Sequence, residues 1–82
     1  MFMKIEILGS GCSKCKQTEK NMSKAVKELD LDAEIVKVTD ISEIMERGVV
    51  ATPAVLVDGK VIISGKVPQL EEAKKLLINL QL

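Results

Sequence analysis

The segment GSGCSKCKQ, residues 9–17, contains both cysteines of the 82-residue chain, Cys12 and Cys15. Two cysteines at this spacing can supply half of a tetrahedral metal site, close a small structural disulfide, or act as a redox pair. The chain contains no histidine, which excludes a Cys–His nucleophile and a mixed Cys/His zinc site. A structural zinc ion would need ligands from a second subunit, and a disulfide that closes so short a loop stabilises little.

The flanking residues favour the redox role. Cys12 is predicted to stand at the N-terminus of a helix, where unpaired N–H groups and the helix dipole favour an anion. These groups lower the pKa of a thiol, and the thiolate is the attacking species in disulfide exchange. Cys15 would lie one turn further on, at the apolar face of the helix and shielded from solvent. The spacing therefore predicts Cys12 as the nucleophile and Cys15 as the resolving cysteine. Lys14 is an auxiliary candidate that adds positive charge nearby, although its simpler interpretation is a solvated side chain.

The elements that position this pair follow from hydrophobic periodicity and from turn and capping signals. The predicted order is βαβαββα, in one domain over residues 1–82, with strands at 3–8, 33–38, 53–57 and 60–64, and helices at 13–29, at 40–47 and from Pro68 onward. Asp58-Gly59 is a strong hairpin signal between the last two strands. The predicted inward faces comprise Cys15, Thr18, Met22, Val26 and Leu29 in the first helix, Ile41, Ile44 and Met45 in the second, and Leu70, Ala73, Leu76, Leu77 and Leu80 in the last.

The short second helix carries its own boundary signals. Asp40 can cap it with Glu43 three residues later, as in a capping box, and Gly48 closes it. Its Met45 and the Met22 of the first helix are interpreted as core residues and not as metal ligands.

Composition limits the partners of the chain. Twelve basic and twelve acidic residues give a net charge of zero, so no electrostatic attraction to nucleic acid or to an anionic membrane is expected. Phe2 is the only aromatic residue, and no apolar run is long enough to cross a bilayer. The N-terminal segment reads as a strand and not as a signal peptide. We therefore expect a cytoplasmic monomer, and in that compartment a close cysteine pair is more often catalytic or metal-binding than structural.

The three motifs taken in order carry a resemblance to a known family. The C-x-x-C after the first strand, the βαβαββα order and Thr52-Pro53 before the third strand together resemble the thioredoxin fold. The segments ILGSGCSKC and VVATPAVLVDGKVIISG are similar to those of small thioredoxin-like or glutaredoxin-like redox-active disulfide proteins of archaea and bacteria. The resemblance covers essentially the whole chain. It implies a mixed four-stranded sheet in the order 2-1-3-4 and a cis-proline loop at Pro53 beside the cysteines. Backbone groups of Thr52 would then bind a substrate peptide.

Some residues depart from the better-known members of that family. Gly11 precedes the first cysteine in place of the tryptophan of W-C-G-P-C, and Ser13-Lys14 fills the position of the Pro-Tyr of C-P-Y-C. These departures leave the reductant open between a thioredoxin reductase and a low-molecular-weight thiol such as glutathione. Glu6, six residues before Cys12, matches a buried acid of thioredoxins that helps to deprotonate the second cysteine. The interpretation that we favour is that Glu6 shares an incompletely covered sheet face with Lys4 and is paired with water.

The sequence thus predicts a thiol–disulfide oxidoreductase that exchanges electrons with protein or small-molecule disulfides and needs no bound cofactor or metal. Two alternatives stay open. One is a soft-metal carrier, because GSGCSKC is superficially similar to G-x-x-C-x-x-C metallochaperones, whose domains run βαββαβ and end on a strand. The other is a partner-binding module whose cysteine pair acts as a redox sensor or anchors an iron–sulfur cluster in a dimer.

Overall fold

A computed structural model of the chain describes residues 3–9 and 13–81. Seven elements follow one another in the order βαβαββα: β1 (Met3–Leu8), α1 (Ser13–Glu28), β2 (Ala33–Val38), α2 (Ile41–Glu46), β3 (Ala54–Val57), β4 (Lys60–Ser64) and α3 (Leu70–Gln81). The predicted order is therefore confirmed, and β1, β2 and β4 have the predicted bounds. The described chain ends on a helix, unlike the βαββαβ domains of metallochaperones.

The four strands form one sheet in the order β2-β1-β3-β4. Strand β1 pairs in parallel with β2 and antiparallel with β3, and β3 pairs antiparallel with β4. Parallel neighbours need a crossover connection, which α1 provides between β1 and β2. The mixed sheet in the order 2-1-3-4 is the one that the resemblance implies, and this prediction is confirmed.

Side chains of the central strands alternate between two buried clusters, because successive residues of a strand point to opposite faces of the sheet. Ile5 and Ile7 of β1 belong to a larger cluster with α1 and α3, whereas Leu8 belongs to a smaller cluster with α2. Both faces of β3 are covered, and all four of its residues are buried. The larger cluster contains Ile5, Ile7, Met22, Ala25, Val55, Val57, Ile63, Ala73 and Leu77, and the smaller contains Leu8, Val38, Ile44, Val49, Ala54 and Leu56.

Helices α1 and α3 cover the face of the larger cluster. The buried residues of α1 are Cys15, Thr18, Met22 and Ala25, and the predicted Val26 and Leu29 are partly buried against the same cluster. Helix α3 begins two residues after Pro68 and buries Ala73 and Leu77. Leu80 is 38% exposed, so its predicted inward position is wrong. It lies in the last turn of α3, beyond the residues that reach the cluster.

Helix α2 has only six residues, which is fewer than two turns. Asp40 caps it by accepting a hydrogen bond from the backbone N–H of Ser42 at 2.8 Å, and Gly48 follows it with a φ of +75°. Ile44 is its buried residue, whereas Ile41 and Met45 are both 68% exposed. The prediction that Met45 is a core residue is therefore wrong, because so short a helix turns a single side chain towards the sheet.

The Asp58-Gly59 turn joins β3 to β4 as predicted. Both residues have positive φ angles, of 51° and 86°, as a type I′ hairpin turn requires. The backbone N–H of Asp58 donates to the carbonyl of Lys4 at 2.8 Å, and the Asp58 carboxylate accepts from the backbone N–H of Lys4 at 3.0 Å. These bonds tie the hairpin to the start of β1.

No helix among the described residues is both long and apolar enough to cross a bilayer.

Leu77→Ala tests whether α3 holds the larger cluster together. Leu77 has no exposed surface, so removing its side chain should lower the free energy of unfolding by about 2–5 kcal/mol. Leu80→Ala makes the same change one turn further along α3 at a partly exposed position and should cost less than half as much. Denaturant titration of both variants measures the difference. Equal losses would contradict the assignment of Leu77 to the core.

Candidate active site

Cys15 lies in the first turn of α1, which begins at Ser13. Its side chain is buried, with 5% of the residue exposed, which agrees with the shielding predicted for the resolving cysteine. Cys12, the predicted nucleophile, lies outside the described residues. The roles assigned to the two sulfurs therefore stay predictions.

The sulfur of Cys15 lies directly against the backbone at the end of β1. Gly9 continues the pairing of β1 with β2, because its N–H donates a hydrogen bond to the carbonyl of Val38 at 3.0 Å. A Cβ atom placed on Gly9 would lie 2.1 Å from the Sγ of Cys15. Gly9 opens the GSG segment that follows β1, and no pattern in the sequence indicates its contact with Cys15.

A small cavity of about 70 Å³ opens beside Cys15, between α1 and β2. A weak ion pair between Lys37 and Glu19, at 3.7 Å, lies at its rim. The cavity is lined by Ile7, Gly9, Cys15, Lys16, Glu19, Lys37 and Thr39. Within residues 3–9 and 13–81, no group of three or more Cys, His, Asp or Glu side chains could hold a metal ion.

The Thr52-Pro53 peptide bond is cis, as the resemblance implies. Pro53 is buried and Thr52 is exposed. The carbonyl of Pro53 accepts a hydrogen bond from the N–H of Gly65 at 2.9 Å, so the end of β4 holds this loop in place. The predicted contact of the loop with Cys12 lies outside the described residues.

An apolar groove of about 400 Å³ runs between α2 and the loop that carries Thr52. Val50 is fully exposed at this groove, and Ile41 and Met45 are exposed as well. Reasoning from the sequence missed this surface, because it assigned the apolar residues of α2 to the core. The groove is lined by Ile41, Ile44, Met45, Val49, Val50 and Thr52.

Glu6 is buried, and its carboxylate accepts a hydrogen bond from Nε of Arg47 at 2.8 Å. The expectation that Glu6 is paired with water is therefore wrong. A buried carboxylate needs a partner, and the guanidinium of Arg47 is brought to it by the C-terminal end of α2. Arg47 also donates from Nη1 to the carbonyl of Glu43 at 2.9 Å, so the same side chain ties β1 to the last turn of α2.

Alternation along β1 separates Glu6 from Cys15. Glu6 and Leu8 point to the face that α2 covers, whereas Ile5, Ile7 and the open side of Gly9 point to the face that α1 covers. Cys15 contacts this second face. The placement of Glu6 therefore favours a structural role in holding α2.

Lys14 is exposed on α1, and its carbonyl accepts a hydrogen bond from the hydroxyl of Thr18 at 2.9 Å.

Comparison with known proteins agrees with this arrangement. Residues 3–78 match a family model described as a thioredoxin domain. The chain is 48% identical over 76 residues to a thioredoxin of Methanothermobacter thermautotrophicus. The aligned residues are 93% of this chain and 99% of that protein. It is 54% identical over 71 residues to a thioredoxin of Methanocaldococcus jannaschii, over 87% of this chain and 81% of that protein. The chain belongs to the thioredoxin domain family, and it is a thiol–disulfide oxidoreductase.

Glu6→Gln should leave the disulfide reductase activity close to that of the unsubstituted protein, because Glu6 faces away from Cys15. Removal of a general base would instead lower the rate of the reaction about 10²–10⁴-fold. The free energy of unfolding should fall by about 1 kcal/mol, since a charge-assisted hydrogen bond to Arg47 becomes a neutral one. Turnover of a disulfide substrate and denaturant titration measure the two effects.

The matched control is Glu72→Gln. Glu72 accepts a hydrogen bond from the Lys66 ammonium at the surface, which holds the pKa of its carboxyl below the usual value. Exposed pairs contribute little, so this variant should lose less stability than Glu6→Gln. A general-base-sized loss of activity in Glu6→Gln with an intact fold would show that Glu6 serves the reaction.

Proposed function

We propose that Cys12 and Cys15 form the redox pair and that the protein reduces disulfides of other proteins. The thiolate of Cys12 attacks a substrate disulfide, one substrate sulfur leaves as a thiolate, and a mixed disulfide forms. Cys15 then attacks the sulfur of Cys12 and releases the second substrate thiolate. The substrate gains two electrons, and the pair becomes a disulfide that a reductase or a low-molecular-weight thiol must reduce again. The sulfurs carry the electrons, so the reaction needs no bound organic cofactor.

The observation that carries the proposal is the burial of Cys15 in the first turn of α1, three residues after Cys12. A buried sulfur is a poor attacker of a large external disulfide, because the two sulfurs cannot approach. The spacing of three residues would let the same sulfur attack a disulfide held on Cys12. This division of labour is the one that spacing and helix polarity predict from the sequence.

Thr52 and Pro53 form the proposed docking site for the substrate. Thr52 is exposed beside the apolar groove of α2, and the carbonyl of Pro53 is already bonded to Gly65. Free backbone groups of Thr52 would pair with an extended substrate segment, as an added strand pairs with a sheet edge. The exposed apolar surface of Ile41, Met45 and Val50 would then take apolar side chains next to the substrate cysteine. Such a surface suits a protein substrate better than a small disulfide.

The proposed setting is a reducing, cytoplasmic compartment, where a close cysteine pair is more often catalytic than structural. The protein is proposed to act as a monomer that meets its substrate and its reductant in turn. A net charge of zero offers no attraction to nucleic acid or to an anionic membrane surface.

Trapping of the mixed disulfide tests the roles of the two cysteines. Cys15→Ser removes the resolving sulfur and should accumulate a mixed disulfide with an insulin chain after exposure to disulfide-linked insulin, or with glutathione after exposure to glutathione disulfide; in each case the second sulfur of the substrate leaves as a thiolate. Cys12→Ser should accumulate little adduct, because the remaining sulfur is buried. Mass spectrometry of the intact proteins, without reductant, measures the amount of adduct in each variant. Equal adduct in both variants would contradict the assigned roles, and no adduct in either would contradict disulfide exchange at this pair.

Val50→Asp tests the docking groove. The charge should oppose binding of an apolar substrate side chain and lower the rate of insulin reduction about tenfold, which corresponds to about 1.4 kcal/mol. Reduction of a small aromatic disulfide should stay unchanged, because it does not fill the groove. Val61→Asp makes the same exchange at an exposed position of β4 outside the groove and should leave both rates unchanged. If Val50→Asp lowered the rates of reduction of insulin and of the small disulfide equally, the groove would have no role in docking the protein substrate.

A further inference from the structure

Gly9, at the end of β1, lies against the sulfur of Cys15. It is buried, and a Cβ atom built on it would lie 2.1 Å from the Sγ and 3.1 Å from the Cβ of Cys15. Carbon and sulfur atoms that are not bonded pack at distances well above 3 Å, as carbon atoms do at about 3.5–4.0 Å. Any side chain at this position therefore overlaps with the sulfur where it now lies.

The requirement for glycine here is one of space and not of backbone conformation. Gly48, Gly59 and Gly65 have positive φ angles, and Gly9 is not among the residues that do. An alanine could therefore adopt the backbone of Gly9 without strain. Its methyl group would still collide with Cys15. Among the described residues, the methyl group of Gly9→Ala would collide with Cys15 alone.

Movement of the sulfur would relieve the collision. The backbone of Gly9 is held by its hydrogen bond to Val38, whereas the sulfur ends a side chain with one rotatable bond. Rotation about that bond displaces the sulfur by several tenths of an ångström or more and leaves the backbones of β1 and α1 in place. The cavity of about 70 Å³ beside both residues offers space for a displaced sulfur.

We propose that Gly9 is a positioning residue for the second step of the reaction. By having no side chain, it lets the sulfur of Cys15 lie against the end of β1, and this is the position from which Cys15 would make its proposed attack on Cys12. In that step the S–S bond between Cys12 and the substrate breaks, the bond between Cys12 and Cys15 forms, and the substrate thiolate leaves and takes a proton. The inference rests on the proposed function, which assigns the resolving role to Cys15.

The experiment separates the two steps with an aromatic disulfide, 5,5′-dithiobis(2-nitrobenzoate), mixed with the reduced protein at equal concentration in a stopped-flow spectrometer. Attack by Cys12 releases the first coloured thiolate, and attack by Cys15 releases the second. Gly9→Ala should keep the first phase at its original rate. It should slow the second phase by about 10–100-fold, the size of effect that a misplaced reacting atom produces.

Gly59→Ala is the matched control. Gly59 has a φ of +86°, and no described residue lies within 4 Å of a Cβ atom built on it, so alanine strains the turn without touching Cys15. This variant should lose stability and keep both phases at their original rates. A second control combines Gly9→Ala with Cys15→Ala, in which the sulfur is absent. The drop in melting temperature that Gly9→Ala causes should then shrink, because the main overlap has been removed.

The outcomes separate the inference from the proposed function. If the unsubstituted protein releases only one thiolate, the resolving role of Cys15 fails. If it releases two and Gly9→Ala leaves the second phase unchanged, or slows both phases equally, the positioning role of Gly9 is overturned. The role is also overturned if Gly9→Ala unfolds the protein and the combination with Cys15→Ala does not restore the fold. Restoration of the fold by that combination supports the contact with the sulfur.

Discussion

Strand β1 lies in the interior of the sheet, and its residues contribute to both buried clusters. It is hydrogen-bonded to β2 along one edge and to β3 along the other. A shift of β1 along its axis would therefore break the hydrogen bonds on both edges. Both of its faces are covered, and a slip of one residue would exchange every side chain between the two clusters. Register along β1 therefore fixes which helix each of its residues meets. It also fixes where the chain leaves the sheet to enter the segment that carries the cysteines.

Two consequences of this register define the site. On one face, the strand continues into Gly9, whose bare backbone receives the sulfur of Cys15 from α1. On the other face, Glu6 meets Arg47 and anchors the end of α2, the helix that borders the apolar groove and precedes the cis-proline loop. One strand thus positions the buried sulfur and, through an ion pair, the surface proposed to receive the substrate. The chemistry and the docking surface are built on opposite faces of the same element.

Local patterns predicted most of the fold, because strand alternation, helix periodicity and turn chemistry act over a few residues. The bounds of β1, β2 and β4, the Asp58-Gly59 turn and the burial of Cys15 all follow from such patterns. The contacts that sequence reasoning missed join distant segments. Glu6 and Arg47 are 41 residues apart, and no local signal pairs them. Exposure of Met45 depends on how far a six-residue helix stands from the sheet, which is a property of tertiary packing.

The central claim is that Cys12 and Cys15 act as one two-electron pair. Equilibration of the protein with mixtures of reduced and oxidised dithiothreitol, followed by alkylation and mass spectrometry, tests it most directly. A single transition is expected, in which both alkyl groups are lost together as the mixture becomes more oxidising. Alkylation of both thiols at every ratio, or loss of the two groups in separate steps, would show that the two cysteines do not form one redox pair.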